Sequence, residues 1–376
     1  MAKGIYVGVN NTARKITKAY VGVDGVPRKV KKAYIGVEGV PRLVYSNNPE
    51  KVAVTQLTTA RFYPCAVSNP NYAIFAGGRT LTAKTIDTEV YNNALVKSSN
   101  YIGFLPVAED GVTGASIGVY AIAYGGRSNS GTNGTNNNYV NALDINLTRT
   151  PLPNLDNAID RANGAHNSNY AVFLGGTTTN DEGGISNFAV GFTANLSRNK
   201  VYLSTSTRER GGASTSALAI FPAFNSATFG INNAFQVQNL SPLAVDRTYP
   251  GTATIGDKAV FAGGRASTIT SGTVEYYSAN GVKGKAQDML QGRIYSVGTS
   301  VEGYAIFTGG TAIGTSAPFA SVECYDTSLV RSSLQDLDTP KIFLGGASVG
   351  DYAVFAGGVL EAGSNNASGI VDAYKI

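Results

Sequence analysis

One phrase recurs along most of this chain and restricts its fold more than any other feature: an aromatic residue, a short apolar run, then Gly-Gly. It reads Tyr72-Ala-Ile-Phe-Ala-Gly77-Gly78 at its first appearance, and it returns ending at Gly125-Gly126, Gly175-Gly176, Gly263-Gly264, Gly309-Gly310 and Gly357-Gly358. A degenerate copy, Leu218-Ala-Ile-Phe-Pro-Ala223-Phe224, fills the one gap. With Ala223 standing in for its glycine, the seven copies follow one another at nearly even intervals, most of them in the high forties and the shortest between Ala223 and Gly263. A period of that length with Gly-Gly in each unit marks a repeat array in which every unit is one small β-sheet.

These copies, over residues 50 to 376, resemble the kelch repeat. The resemblance implies an all-β fold, a seven-bladed β-propeller with one four-stranded sheet per blade. It leaves function open, because propellers carry unrelated activities on one architecture. In each blade an inner strand such as 62–67 precedes the Gly-Gly strand. A third strand follows, marked by Glu89-Val-Tyr91, Val274-Glu-Tyr-Tyr277, Val322-Glu-Cys-Tyr325 or Val371-Asp-Ala-Tyr374. The last unit ends at Ile376 without a fourth strand, while Lys51 to Leu57 alternates like a strand ahead of the first unit. Residues 51–57 are therefore expected to complete the last blade and remove an open edge.

Arg61, Arg247, Arg293 and Lys341 all stand at one fixed offset before the first glycine of their unit, with Glu109 at that offset in the second. Arg161 and Arg210 stand slightly closer to theirs. Pairing of these cations with the third-strand Glu or Asp is expected, a device that fixes geometry more than it adds stability. The fourth unit, with Ala223-Phe224, is expected to be distorted.

Blade topology would gather the loops after the Gly-Gly strands on one face. They vary while the strands stay constant, as on a rigid scaffold presenting contacts. The candidate binding residues there are Arg79, Arg127, Arg265, Asn136, Asn137, Thr177 and Asn365, of which the three arginines directly follow Gly-Gly. A guanidinium offers a planar fork of donors suited to carboxylate, phosphate or sugar hydroxyls.

A second repeat occupies the N-terminus. Tyr6, Tyr20 and Tyr34 recur at an equal, much shorter interval, and Asp24-Gly25 and Glu38-Gly39 lead into Val26-Pro27-Arg28 and Val40-Pro41-Arg42. Asp-Gly between β-rich runs predicts hairpins. The net charge of +5 is concentrated here: residues 1–46 hold nine Lys and Arg against Asp24 and Glu38, while in the remainder acidic side chains slightly outnumber basic ones. So small a segment, without Cys or His to staple it, needs a partner to order it. The phrase Lys32-Ala-Tyr34-Ile-Gly-Val-Glu-Gly-Val40-Pro-Arg42 resembles arms of phage and prophage virion proteins, especially tail-associated ones. The resemblance implies attachment to other virion proteins through residues 1–46, with Tyr6, Tyr20, Tyr34, Arg28 and Arg42 as the attachment residues. Residues 47–50 read as a linker and residues 51–376 as the propeller.

Catalytic chemistry is sparse in the sequence. His166 is the sole histidine, and Cys65 and Cys324 form no CxxC, so no triad, zinc site or disulfide framework is expected. Cys324 stands where sister units carry Val90, Tyr276 and Ala373 and reads as a small core residue. No Walker loop or dinucleotide fingerprint occurs, and no cofactor is expected. The N-terminus lacks a signal peptide's apolar core, and no run is long enough to span a membrane. The expectation is thus a non-enzymatic virion protein, made in a bacterial cytoplasm, whose displayed propeller recognises a host cell-surface glycan or protein. No nucleic acid is expected as partner, because prolines interrupt the basic arm. Structural decoration of tail, neck or capsid is the alternative. The rivals are a carbohydrate-active enzyme, which would need a carboxylate pair in one pocket, and a bacterial scaffold.

Overall fold

A computed structural model describes residues 48–98, 103–128, 135–178, 184–224, 227–361 and 366–376 in full, and the backbone of six strands between Tyr6 and Ser46. It divides into two compact units, Met1–Glu50 with Ile376, and Lys51–Lys375. Both are built from antiparallel strands, with no α-helix among the described residues.

The N-terminal unit is three successive two-stranded hairpins. Tyr6–Val9 pairs with Thr12–Lys15, Ala19–Val23 with Val26–Val30, and Lys32–Val37 with Val40–Ser46. Val23 lies opposite Val26 and Val37 opposite Val40. Asp24, Gly25, Glu38 and Gly39 themselves lie outside the described residues. Two-stranded hairpins are marginal alone in water.

The larger unit holds seven four-stranded sheets among its described residues, each built on one copy of the repeat. In the first, Cys65–Asn69, Tyr72–Ala76, Thr88–Asn92 and Lys97–Ser98 lie side by side in sequence order. Burial explains the repeated phrase. Ala73, Ile74, Phe75 and Ala76 are all fully buried, so the Gly-Gly strand is covered on both faces and carries no polar alternation. The preceding strand alternates buried and half-buried residues, and outermost strands such as Lys97–Ser98 and Lys283–Lys285 lack buried positions altogether.

The first strands of successive sheets are neighbours. Cys65–Asn69 lies beside Thr113–Ile117, which lies beside Asn163–His166, and the adjacency continues through Ala213–Ser214, Gly251–Ile255, Val297–Val301 and Gly345–Val349. Gly345–Val349 in turn lies beside Cys65–Asn69. The seventh sheet takes its fourth strand from Glu50–Val52, a shorter stretch than the expected 51–57. The rest of that stretch is nonetheless held in place. Gln56 accepts from the Val371 N–H at 2.6 Å, and within the strand itself Lys51 Nζ lies 2.7 Å from Asp372.

The third-strand signatures also have a structural role. Phe75–Tyr91, Phe261–Tyr277, Phe307–Tyr325 and Phe355–Tyr374 meet edge to face at 5.9–6.1 Å, a geometry worth about 0.5–1.5 kcal/mol per pair beyond area burial. The tyrosine hydroxyl then reaches the chain leaving the neighbouring sheet. Tyr277 donates to Ser241 O, Tyr374 to Gln335 O and Tyr91 to Thr55 O. Cys324 lies opposite Ile306 as Val90 lies opposite Ile74, and like Cys65 it is buried.

Glycine pairs make the joint between sheets. Gly77 and Gly78 have φ of 62° and 97°. A Cβ on Gly77 would stand 2.5 Å from Glu109 O of the next repeat, the carbonyl that accepts the Gly78 N–H at 2.8 Å. The same bond joins Gly126 to Ile159, Gly176 to Thr207, Gly264 to Arg293, Gly310 to Lys341 and Gly358 to Arg61. These acceptors all occupy the offset of Arg61, counted back from the repeat glycine of their own unit or, for Thr207, from Ala223.

The fourth sheet solves the joint differently. Ala223 brings a Cβ to the position where glycine admits the neighbouring carbonyl, and the Phe224 N–H turns to Ser206 O at 3.4 Å. The Arg210 side chain donates instead to Arg247 O at 3.3 Å and pairs with Asp246, while its guanidinium lies over the Phe224 ring at 4.5 Å. The irregular unit is a repaired joint, with one arginine doing what a backbone N–H does elsewhere.

Candidate functional site

The recurring cations are the floor from which the site is built. Arg61 pairs with Glu89 at 2.7 Å, Arg247 with Glu275 at 3.0 Å, Arg293 with Glu323 at 2.9 Å and Lys341 with Asp372 at 3.0 Å, all essentially without solvent access. These are the expected pairs with third-strand acids. Burial alone would depress the Lys341 and Arg61 pKa values, and the facing carboxylates work against it. Arg161 and Arg210 do not join this set. The residues at the same offset in their units are Ile159 and Thr207. Position in the repeat, rather than charge, is what the fold preserves.

Two residues beyond each of these positions comes Tyr63, Gly111, Arg161, Glu209, Tyr249, Tyr295 or Phe343. All seven are left-handed, with φ between 52° and 67°. For an L-residue that conformation costs on the order of 1–2 kcal/mol, and glycine occupies only one of the seven positions. Backbone bonds between sheets hold it. Tyr63 N–H donates to Phe343 O at 2.9 Å, Arg161 to Gly111 O at 2.9 Å, Tyr249 to Glu209 O at 2.7 Å and Tyr295 to Tyr249 O at 3.2 Å.

Six of the seven line a cavity of about 420 Å³ together with Arg79, Arg127, Asp110 and Asp160. A second space of about 330 Å³ adjoins it, sharing Tyr63, Glu209, Tyr249 and Tyr295, and also touches Phe343 and small residues in or just before the first strands, such as Gly164, Gly212 and Thr252. The volumes suit a small ligand.

The lining is unequal around the cavity. On one side Tyr249 and Tyr295 meet at 4.4 Å, Tyr295 and Phe343 at 4.6 Å, and Phe343 and Tyr63 at 4.2 Å between ring centroids. On the other, contacts alternate in sign. Tyr249 Oη donates to Glu209 at 2.7 Å, Glu209 pairs with Arg161 at 2.9 Å, and Arg161 with Asp160 at 3.1 Å. Arg127 lies 4.0 Å from Asp160 and 3.6 Å from Asp110, and Asp110 pairs with Arg79 and, at 3.0 Å, with Lys84. Burial raises the Asp160 pKa, and the two neighbouring arginines oppose that. Burial and the Glu209 charge raise the Tyr249 pKa, so its hydroxyl keeps its proton and donates. Behind Asp110, Glu109 is buried and its pKa is pushed up to about 8, with Asn137 donating to it at 2.5 Å.

Of the residues singled out in the sequence, Arg79 and Arg127 line this cavity. Arg265 is exposed, with its Nε on Ser267 O at 3.0 Å. Thr177 is fully buried, paired through its backbone with Asp160, and Asn136 is buried and donates to Thr177 O at 2.8 Å. Both support the cavity wall rather than face outward. Asn365 and the side chains of Tyr6, Tyr20, Tyr34, Arg28 and Arg42 lie outside the described residues. Sequence reasoning missed the aromatic arc and the carboxylates. The available signal was the position two beyond the conserved offset of Arg61, noticed only at Arg161. His166 stands 3.0 Å from Ser214 Oγ and takes no part in the cavity. Among the described residues no group of His, Cys, Asp and Glu is arranged to hold a metal ion, and no helix is long and apolar enough to cross a membrane.

No protein-family model matches the chain, and no curated protein matches it.

Proposed function

We propose that residues 51–376 form a closed seven-bladed kelch-like propeller, and that the chain is a non-enzymatic phage virion protein that recognises a host surface through the mouth of its central channel. Support for closure comes from the cyclic adjacency of first strands and from the Gly358 to Arg61 bond, which joins the last repeat to the first. The virion context rests on the N-terminal arm, whose tyrosine phrase resembles phage tail-associated proteins, and whose isolated hairpins need a partner.

One observation carries the recognition role. The scaffold repeats seven times, yet its left-handed positions are aromatic on one side and charged on the other. A purely structural ring would gain nothing from that difference, whereas a site for one oriented ligand requires it. The hydrolytic reading is weaker on the same geometry. Asp110, Asp160 and Glu209 do share the cavity, but each is tied to an arginine, and a general acid must be free to protonate a leaving group.

Particles purified from the bacterium carrying this gene should contain the chain by mass spectrometry. Deleting residues 1–46 should leave a soluble propeller that no longer incorporates. Particles lacking the wild-type chain would overturn the virion reading, and incorporation of the shortened chain would overturn the role of the arm.

A further inference from the structure

We infer that this cavity takes a saccharide bearing a carboxylate, a uronic-acid-type pyranose, with its C–H face on Tyr63 and Tyr295 and its acid group on Arg127 and Arg161. The inference rests on the recognition role above and supplies its ligand class. A pyranose has a face of C–H groups and a rim of hydroxyls, so it matches a site with rings on one side and donors on the other. The aromatic arc supplies the first, and Tyr63 is 41% exposed despite its two ring neighbours.

The donor side faces an anion rather than a cation. The Asp110 and Asp160 side chains are 4% and 2% exposed, whereas Arg127 and Arg161 are 20% and 26% exposed. What reaches the open space is therefore mainly guanidinium, with Asp110 and Asp160 lying behind it and the one more open carboxylate, Glu209, tied to Arg161. Arg61 shows what a purely structural arginine looks like in this chain: no exposure, and hydrogen bonds to Thr59 O, Gly77 O, Asp87 O and Glu89. Arg127 is held more loosely, since its nearest carboxylate oxygen is 3.6 Å away, against 2.7–3.0 Å for Arg61, Arg247 and Arg293. Such a group can present two parallel N–H donors to a planar carboxylate.

A phosphate would meet the same guanidinium chemistry, so the test separates the two. NMR titrations of the full chain would use methyl glucuronide, methyl glucoside, glucose 6-phosphate and acetate. Saturable binding of the glucuronide is expected, with the glucoside about tenfold weaker or more, from loss of one charged hydrogen-bonding contact. Acetate should bind weakest, and glucose 6-phosphate more weakly than the glucuronide. Arg127→Gln should weaken the glucuronide roughly 10–100-fold at unchanged melting temperature, Arg127→Lys should fall between, and Arg265→Ala should change nothing. Tyr63→Leu should weaken both neutral and acidic sugars. Equal affinity for glucoside and glucuronide, tighter binding of glucose 6-phosphate, no binding, or indifference to Arg127→Gln each overturns the inference. Glucuronide binding by a chain absent from particles would refute the virion reading and leave this one standing.

Discussion

Replacing Gly357 by Ala tests how the repeats are joined, because the structure provides its own control. Gly357 and Gly314 both have positive φ, 73° and 78°. A Cβ on Gly314 would meet nothing within 4 Å, so Gly314→Ala carries only the left-handed backbone penalty, about 1–2 kcal/mol. A Cβ on Gly357 would lie 2.4 Å from Arg61 O, a main-chain atom that cannot swing aside. Relief requires roughly 1 Å of separation between the first and last repeats, judged against ordinary carbon–oxygen contact. That movement would break the 2.8 Å bond from Gly358 N–H to Arg61 O, leaving a buried donor and acceptor unpaired at about 1–3 kcal/mol. Gly357→Ala should thus cost about 1–3 kcal/mol more than Gly314→Ala. Urea unfolding of the two variants, followed by circular dichroism, measures the difference. Equal losses would show that the two repeats are not in contact there and refute the reasoning.

Three further outcomes follow from the same contacts. The Glu109 pKa is raised to about 8 by burial, against roughly 4.3 in an unfolded chain. The folded protein therefore keeps a proton that the unfolded chain releases, and stability falls as pH rises from about 4.3 to 8. Glu109→Gln should remove this fall and be more stable than wild type at pH 8 by about 3–5 kcal/mol but similar at pH 4; a pH-independent gap in unfolding midpoints would contradict it. Arg210→Met should keep contact with Phe224 yet cost about 1–3 kcal/mol by stripping Arg247 O of its donor, and an unchanged midpoint would show the bridge is idle. A chain beginning at Asn48 should melt like the full-length protein, whereas one beginning at Thr58 loses Glu50–Val52 and the Lys51–Asp372 pair and should melt far lower or aggregate; equal melting would exclude any contribution of that strand.

The sheets were legible because each rests on a local requirement that recurs at a fixed period. Gly-Gly marks where a backbone approaches closely, and Phe with Tyr marks the buried second and third strands. The buried ion pairs were legible for the same reason at Arg61, Arg247, Arg293 and Lys341. The site was not. Its seven left-handed positions carry Tyr, Gly, Arg, Glu, Tyr, Tyr and Phe, and their conformation is imposed by bonds to neighbouring sheets rather than by a residue type the eye can follow. Thr177 and Asn136 mislead in the opposite sense. They sit in polar loop sequence, yet the bridge from Thr177 to Asp160 draws both into the wall. Arg161 misleads because its charge matches the series while its register does not, by a displacement of two residues from Ile159.

On our proposal, the unequal ring at the cavity recognises a host surface. The most direct test is adsorption of purified particles carrying Arg127→Gln together with Tyr63→Leu in this chain. Incorporation measured by mass spectrometry should equal wild type, while adsorption to host cells should fall about tenfold or more, from the loss of one charged contact and one stacking surface multiplied over several copies. Adsorption at the wild-type rate by particles containing the full complement of the variant would contradict the account.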